Sequence, residues 1–230
     1  MNASFPARGV VLASFLLLGG PAAAASGFID LRDIGPVEGN AEAVRDRTAV
    51  CDACHGPEGV PAVPTFPSIA GQPAAYLYWQ LVEFKREARP DSPMTPVLAP
   101  LGDQDLRDFA AWYAAKPAPG NTAEATYAAL AQRGGELFRH GDATRGVPPC
   151  QGCHGADAGG HPLAADEPRY RTYPHLRGQH APYLVQRLQD FRAGKHTLAS
   201  TDRIMHGVAR NLDDQQIAAL AAWLSAGAVP

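Results

Sequence analysis

Cys51-Asp52-Ala53-Cys54-His55 recurs as Cys150-Gln151-Gly152-Cys153-His154, and these two pentads use all four cysteines of the 230-residue chain. Two thiols separated by two residues can add across the two vinyl groups on one edge of a haem, while the imidazole that follows turns under the ring to the iron. Two pentads with no cysteine left over therefore indicate two covalently bound haems c. Cys51, Cys54, Cys150 and Cys153 are the attachment points, and His55 and His154 the proximal iron ligands. A zinc site suits these residues less well, because each pentad crowds three ligands into one run where structural zinc sites pair a C-x-x-C with a distant second pair. A dithiol redox pair needs a βαβ setting, and the flanking sequence is rich in Ala, Pro and Gly without β-branched strands.

The N-terminus places Arg8 before an apolar run from Val10 to Leu18, followed by Gly19-Gly20-Pro21 and four alanines, Ala22 to Ala25. This reads as a cleaved secretory signal over residues 1–25, since the apolar run falls short of the roughly 20 residues a spanning helix needs. No cysteine follows it for a lipid anchor. The mature chain is expected to be a periplasmic protein without a transmembrane segment, with loose association to the inner membrane left open.

The chain carries 20 Lys and Arg against 23 Asp and Glu. Residues 26–120 hold 13 acidic and 8 basic side chains, a net of −5, while residues 121–230 hold 10 and 11, a net of +1. Basic residues are scattered through a slightly acidic chain, which excludes a nucleic-acid surface.

The second half replays the first. Pro67-Ser68-Ile69-Ala70-Gly71-Gln72 matches Pro174-His175-Leu176-Arg177-Gly178-Gln179 at an offset of 107, and Tyr76-Leu77 and Glu83-Phe84 match Tyr183-Leu184 and Asp190-Phe191 at the same offset. Met94, Leu101, Leu106 and Trp112 match Met205, Leu212, Ile217 and Trp223 at an offset of 111. The pentads are 99 apart, so the second half carries eight extra residues before Pro174 and four more before Met205.

Helical periodicity dominates each half. Leu77, Leu81, Phe84 and Ala88 recur at helical spacing after Pro73, and the counterpart runs from Pro182 to Ala193 before Gly194. A final helix is expected over Asp103 to Ala115 and again over Asp214 to Ser225, the latter with an Asp213/Gln216 capping box. Short helices precede the pentads near 41–50 and 126–139. Lys116-Pro117-Ala118-Pro119-Gly120-Asn121 cannot continue a helix and reads as a linker. The expected organisation is all-α: an extension over 26–38, one haem-enclosing domain over 39–115, a linker over 116–122 and a second such domain over 123–230.

The sixth iron position remains. Beyond the signal the chain holds two methionines, Met94 and Met205, and they occupy the same place in each repeat, which makes them the candidate distal ligands. Thioether opposite histidine raises the reduction potential and suits a carrier. His206 competes with Met205, but its first-half equivalent is Thr95. His140, His161, His175, His180 and His196 have no first-half histidine to match and read as solvated loop or helix-end residues.

The pattern C-x-x-C-H-G, then P-x-[IL]-x-G-Q-x-x-x-Y-L, then a helix ending near Phe, then Met seven residues before Leu and an acidic helix start, occurs twice. It resembles the dihaem cytochrome c4 family over about residues 39–225, including Gly135-Glu136-Leu137-Phe138 leading to Pro149-Cys150. The resemblance implies two tandem cytochrome c-type helical domains with haem propionate edges facing, and a periplasmic carrier rather than an enzyme. It assigns Cys51, Cys54, His55 and Met94 to one haem and Cys150, Cys153, His154 and Met205 to the other. It also makes Pro67 and Pro174 candidates to accept the proximal imidazole protons through their carbonyls. Residues 26–38 and the loop 159–171 depart from the family pattern.

Single electrons are expected to pass between redox proteins, from a membrane-bound quinol-cytochrome c reductase toward a terminal oxidase. The alternatives are the cytochrome subunit of a larger oxidoreductase, such as a flavin-dependent sulfide dehydrogenase, and a dihaem peroxidase. The paired methionines disfavour the peroxidase, which needs an iron that can open its sixth position.

Overall fold

The computed structural model describes residue 1 and residues 27–86, 89, 91–120 and 128–227; the expected signal peptide after Met1 and residues 121–122 of the expected linker lie outside the described residues. The protein is all-α, with no strand among the described residues and two isolated β-bridges. After a 3₁₀ turn at Ala41–Arg47 come α1 (Ala49–His55), α2 (Ala74–Lys85), α3 (Met94–Leu98) and α4 (Asp103–Ala114). The second half follows with α5 (Ala128–His140), α6 (Gln151–His154), α7 (Ala181–Arg192), α8 (Ser200–Ala209) and α9 (Asp214–Ser225).

Each half builds its own core from the stripes that helical spacing groups together. Leu77, Tyr78 and Val82 of α2 pack with Leu106, Phe109 and Tyr113 of α4, while Leu137 and Phe138 of α5 pack with Ile217, Leu220 and Trp223 of α9. Phe138 is fully buried, its ring centroid 4.6 Å from that of Trp223. The expected capping box closes α9: Gln216 N–H donates to Asp213 Oδ1 at 2.8 Å and Asp213 N–H to Gln216 Oε1 at 3.2 Å, satisfying donors the first turn would leave orphaned.

The four residues inserted before Met205 amount to about one helical turn. They extend α8 so that it begins five residues before its methionine, whereas α3 begins on Met94. That added turn receives the N-terminal stretch. Ile29 N–H donates to Leu198 O and Ser200 N–H to Ile29 O, both at 2.9 Å, and Leu31 N–H donates to Ser200 Oγ at 2.9 Å. Ile29 and Leu31 meanwhile sink into the core of the first half, Leu31 with 1% of its surface exposed. The segment is a strap with its backbone on one half and its side chains in the other. Arg171 Nη1 of the 159–171 loop donates to Ile34 O at 2.8 Å, so the two stretches that depart from the family pattern meet each other.

The linker explains the glycine of each Gly-Gln pair. Gly71 and Gly178 have φ of 67° and 74°, and a Cβ on them would lie 2.8 Å from Ala118 Cα and 2.6 Å from Gly120 O. Their N–H groups donate to matched last-helix carbonyls, Tyr113 O at 2.9 Å and Leu224 O at 2.8 Å. A side chain at either position would push the linker off the seam.

Candidate haem site

Both pentads are helical, which puts the first thiol and the imidazole of each four residues apart on one face. Gly56 and Gly155 end these helices at φ of 74° and 81°. His55 and His154 are buried, with 7% and 6% of their surface exposed. Their Nδ1 atoms lie 3.0 Å from Pro67 O and Pro174 O. A carbonyl can only accept, so in each ring the proton sits on Nδ1 and the Nε2 lone pair is left for a metal. Burial is the main cause that pulls both imidazoles below the usual histidine range, which keeps them neutral as ligation requires.

A single cavity of about 1010 Å³ runs between the halves. All eight residues singled out in the sequence line it: Cys51, Cys54, His55 and Met94 from the first half, and Cys150, Cys153, His154 and Met205 from the second. Leu77, Leu81, Phe84 and Phe109 wall one end and Leu176, Leu184, Leu188 and Phe191 the other. Lone pairs and thiols on a mostly apolar wall suit a large flat group that is apolar over most of its surface. Burial pushes the Cys51 and Cys153 thiols up and the Cys150 thiol up to about 12, which opposes the reactive thiolate that a dithiol redox pair would use. Among the described residues, no group of three or more His, Cys, Asp or Glu side chains stands where it could hold a metal ion by itself.

The histidines outside the pentads divide. His206 does not line the cavity and has its Nδ1 2.8 Å from Phe191 O. His196 and His175 are not solvated, as the sequence suggested, but sit at the seam, where His180 joins them from the helix-end position expected of it, the N-cap of α7. The side chain of His196 is 10% exposed, His175 N–H donates to Gln72 Oε1 at 3.0 Å, and His180 Nε2 is 3.2 Å from Pro61 O. Sequence reasoning also missed the glutamines of the Gly-Gln pairs. Gln72 Nε2 donates to His175 O at 2.7 Å, and Gln179 exchanges two hydrogen bonds with the backbone of Ser68. Their signal was available: Ser68 and His175 are themselves matched at the offset of 107.

Fold and site together define a two-domain helical protein that encloses haem attached at two C-x-x-C-H segments, a dihaem c-type cytochrome. Residues 131–227 match the Cytochrome c family. The chain is 40% identical over 195 residues to cytochrome c4 of Stutzerimonas stutzeri, covering 81% of this chain and 88% of that relative. The crystal structure of reduced recombinant cytochrome c4 from Pseudomonas stutzeri is similar with a TM-score of 0.72 and 39% identity, over 82% of this chain and 99% of that one. The thiosulfate dehydrogenase electron acceptor of Thiomonas intermedia is 33% identical over 180 residues, 77% of this chain and 78% of that protein.

The chain belongs to the cytochrome c4 family. It is an electron carrier rather than an enzyme, and its cofactors are two covalently bound haems c. No helix among the described residues is long and apolar enough to cross a membrane.

Proposed function

We propose that this protein is a periplasmic one-electron shuttle, taking electrons from a membrane-bound quinol-cytochrome c reductase and delivering them toward a terminal oxidase. Each bound haem supplies one iron that exchanges a single electron. In this reading Cys51 and Cys54, and Cys150 and Cys153, hold the two porphyrins through thioethers. His55 and His154 would bind iron through Nε2, and Met94 and Met205 would each supply the second protein ligand to one iron. Pro67 and Pro174 draw the Nδ1 protons toward their carbonyls, which orients each imidazole and strengthens it as a donor. The apolar walls exclude water, which disfavours the more highly charged oxidised centre and raises the potential. A signal peptide over residues 1–25 accounts for export, and two domains over 39–115 and 123–230 for the two sites.

The observation that carries the reading is that both sets of four candidate ligands face one apolar cavity, each with its imidazole held by a matched proline carbonyl. A second reading, an acceptor bound to a larger oxidoreductase, draws on the likeness to the thiosulfate dehydrogenase electron acceptor. Lower identity ranks it below the shuttle.

Pyridine haemochrome analysis of the exported protein tests the reading: two haems c per chain are expected, and one after Cys150→Ala with Cys153→Ala. Zinc without iron in the wild-type protein would refute it. Co-purification separates the two functions, because a stoichiometric complex that survives high salt favours the bound acceptor and a monomer with weak salt-sensitive contacts favours the shuttle.

A further inference from the structure

The offset of 107 that matches Tyr76 with Tyr183 and Glu83 with Asp190 also matches Arg89 with His196. Both side chains are about nine-tenths buried, at 9% and 10% exposure, and both line the cavity between the halves. Arg89 Nη2 donates to Gln80 Oε1 at 2.7 Å and Glu83 Oε2 at 3.3 Å, and its guanidinium lies 4.6 Å from the Phe84 ring centroid. Its Nε has no hydrogen-bond partner. His196 meets the matched ring, Phe191, edge-on at 6.3 Å, and its nearest acid, Asp190 Oδ2, stands at 3.9 Å. Neither of its ring nitrogens has a hydrogen-bond partner.

A buried donor left without an acceptor costs about 1–3 kcal/mol, and more when charged. Two at matched positions of one cavity call for acceptors from whatever fills it. Arginine offers donors only, so the missing group must accept. The surroundings favour an anion over a water. Arg187, 14% exposed, lines the same cavity, and its guanidinium lies 4.5 Å from the Phe191 centroid. His196 is pushed down to about 4, first by burial and then by Arg89 and Arg187, with Asp190 acting in the opposite direction. Glu83 does not line the cavity; with Gln80 it holds the outer nitrogen of Arg89 and leaves Nε as the spare donor.

We propose that Arg89 and His196 each donate to a carboxylate of a bound haem, forming one reciprocal anion seat at the seam between the domains. The seat rests on the two-haem reading and deepens it by giving the polar edge of each haem a partner in this chain. Gln80 and Glu83 are positioning residues for Arg89. Arg89 is a cation beside the haem carboxylate and disfavours the oxidised iron, so it raises the potential of the haem it touches, while His196 contributes a neutral donor.

Resonance Raman spectra of the haem carboxylate bending bands and spectroelectrochemical titration of both haems test this in holoprotein. Arg89→Gln and His196→Gln are each expected to keep two haems and unchanged axial-ligand spectra and to shift the carboxylate bands, and Arg89→Gln, which alone removes a charge, to lower one of the two potentials. Arg89→Lys retains the charge and is expected to recover most of the potential. Two glutamine variants with two haems, wild-type bands and wild-type potentials would overturn the seat. A wild-type protein lacking two haems would instead overturn the reading beneath it. If either glutamine variant fails to fold, the other decides.

Discussion

Gln179 clasps the peptide of Ser68 across the seam, accepting from Ser68 N–H and donating to Ser68 O, both at 2.9 Å. Gln72 returns the contact on His175 at 3.0 and 2.7 Å. Ser68 and His175 each follow the proline whose carbonyl takes the proximal imidazole proton. The glutamine of one half thus fixes the segment that aims the histidine of the other. These four bonds therefore contribute both to holding the halves together, alongside the strap, and to orienting the rings.

Removing one clasp should be costly because Ser68 and Gln179 are both buried. Gln179→Ala is expected to destabilise the holoprotein by about 1–3 kcal/mol, the range for stranding buried backbone donors and acceptors. Urea unfolding followed at the haem band and by far-ultraviolet circular dichroism measures it. Gln72→Ala should act alike, and the double variant should unfold its halves in separate steps.

The strap is expected to be part of the fold rather than a tail. Leu31→Ala removes a side chain buried in the first core and should cost about 2–5 kcal/mol. Ser200→Ala, which loses only the bond to Leu31 N–H, should cost about 1 kcal/mol. Equal, negligible effects in thermal unfolding would show that the strap contributes nothing.

Glu83 predicts a pH dependence. Burial first, then Asp202, raises its carboxyl to about 7 from an ordinary 4.5, so the folded state holds a proton that the unfolded chain gives up. A raised carboxyl stabilises the fold fully below pH 4.5, and that contribution is lost as pH climbs toward about 7. Glu83→Gln should flatten the wild-type decline in stability over this window, measured by urea unfolding at successive pH values.

The first half carries a formal −5 and the second +1. Electron exchange with a basic partner that docks on the first half should slow as salt rises, since surface steering is screened beyond about 10 Å at 0.1 M. Stopped-flow rates that stay flat across ionic strength would mean the asymmetry has no steering role.

The positions of α2, α7 and α9 were legible because each carries a local mark, Pro73 before α2, Gly194 after α7 and Asp213 with Gln216 at α9, whereas α3 and α8, which carry the two methionines, were not foreseen. Eight candidate haem-site residues could be picked out because spacing and repetition are properties of the chain alone, and the structure brings all eight to one cavity. A repeat says which residues are equivalent but not that equivalent residues reach across to each other, so Gln72 and Gln179 stood only as matched positions with no role. His196 looked solvated because its burial depends on the cavity between the halves, which it lines. The strap did leave a trace: Ile29 and Leu31 are buried while Phe28, Asp30 and Arg32 are exposed, the alternation of an extended segment. Five residues give that pattern too little length to stand out, and its partner at Ala199 lies 170 residues away.

The account turns on the sixth iron ligands, which rest on repeat symmetry rather than on a motif. The most direct measurement is the far-red sulfur-to-iron absorption of the oxidised holoprotein in Met94→His, Met205→His and His206→Ala. Each methionine variant should stay six-coordinate and low-spin, lose about half of that band and show a lowered potential at the substituted haem alone, while His206→Ala keeps the full band. A band untouched by Met205→His, together with a second haem whose spectrum and potential change in His206→Ala, would contradict the assignment of Met205.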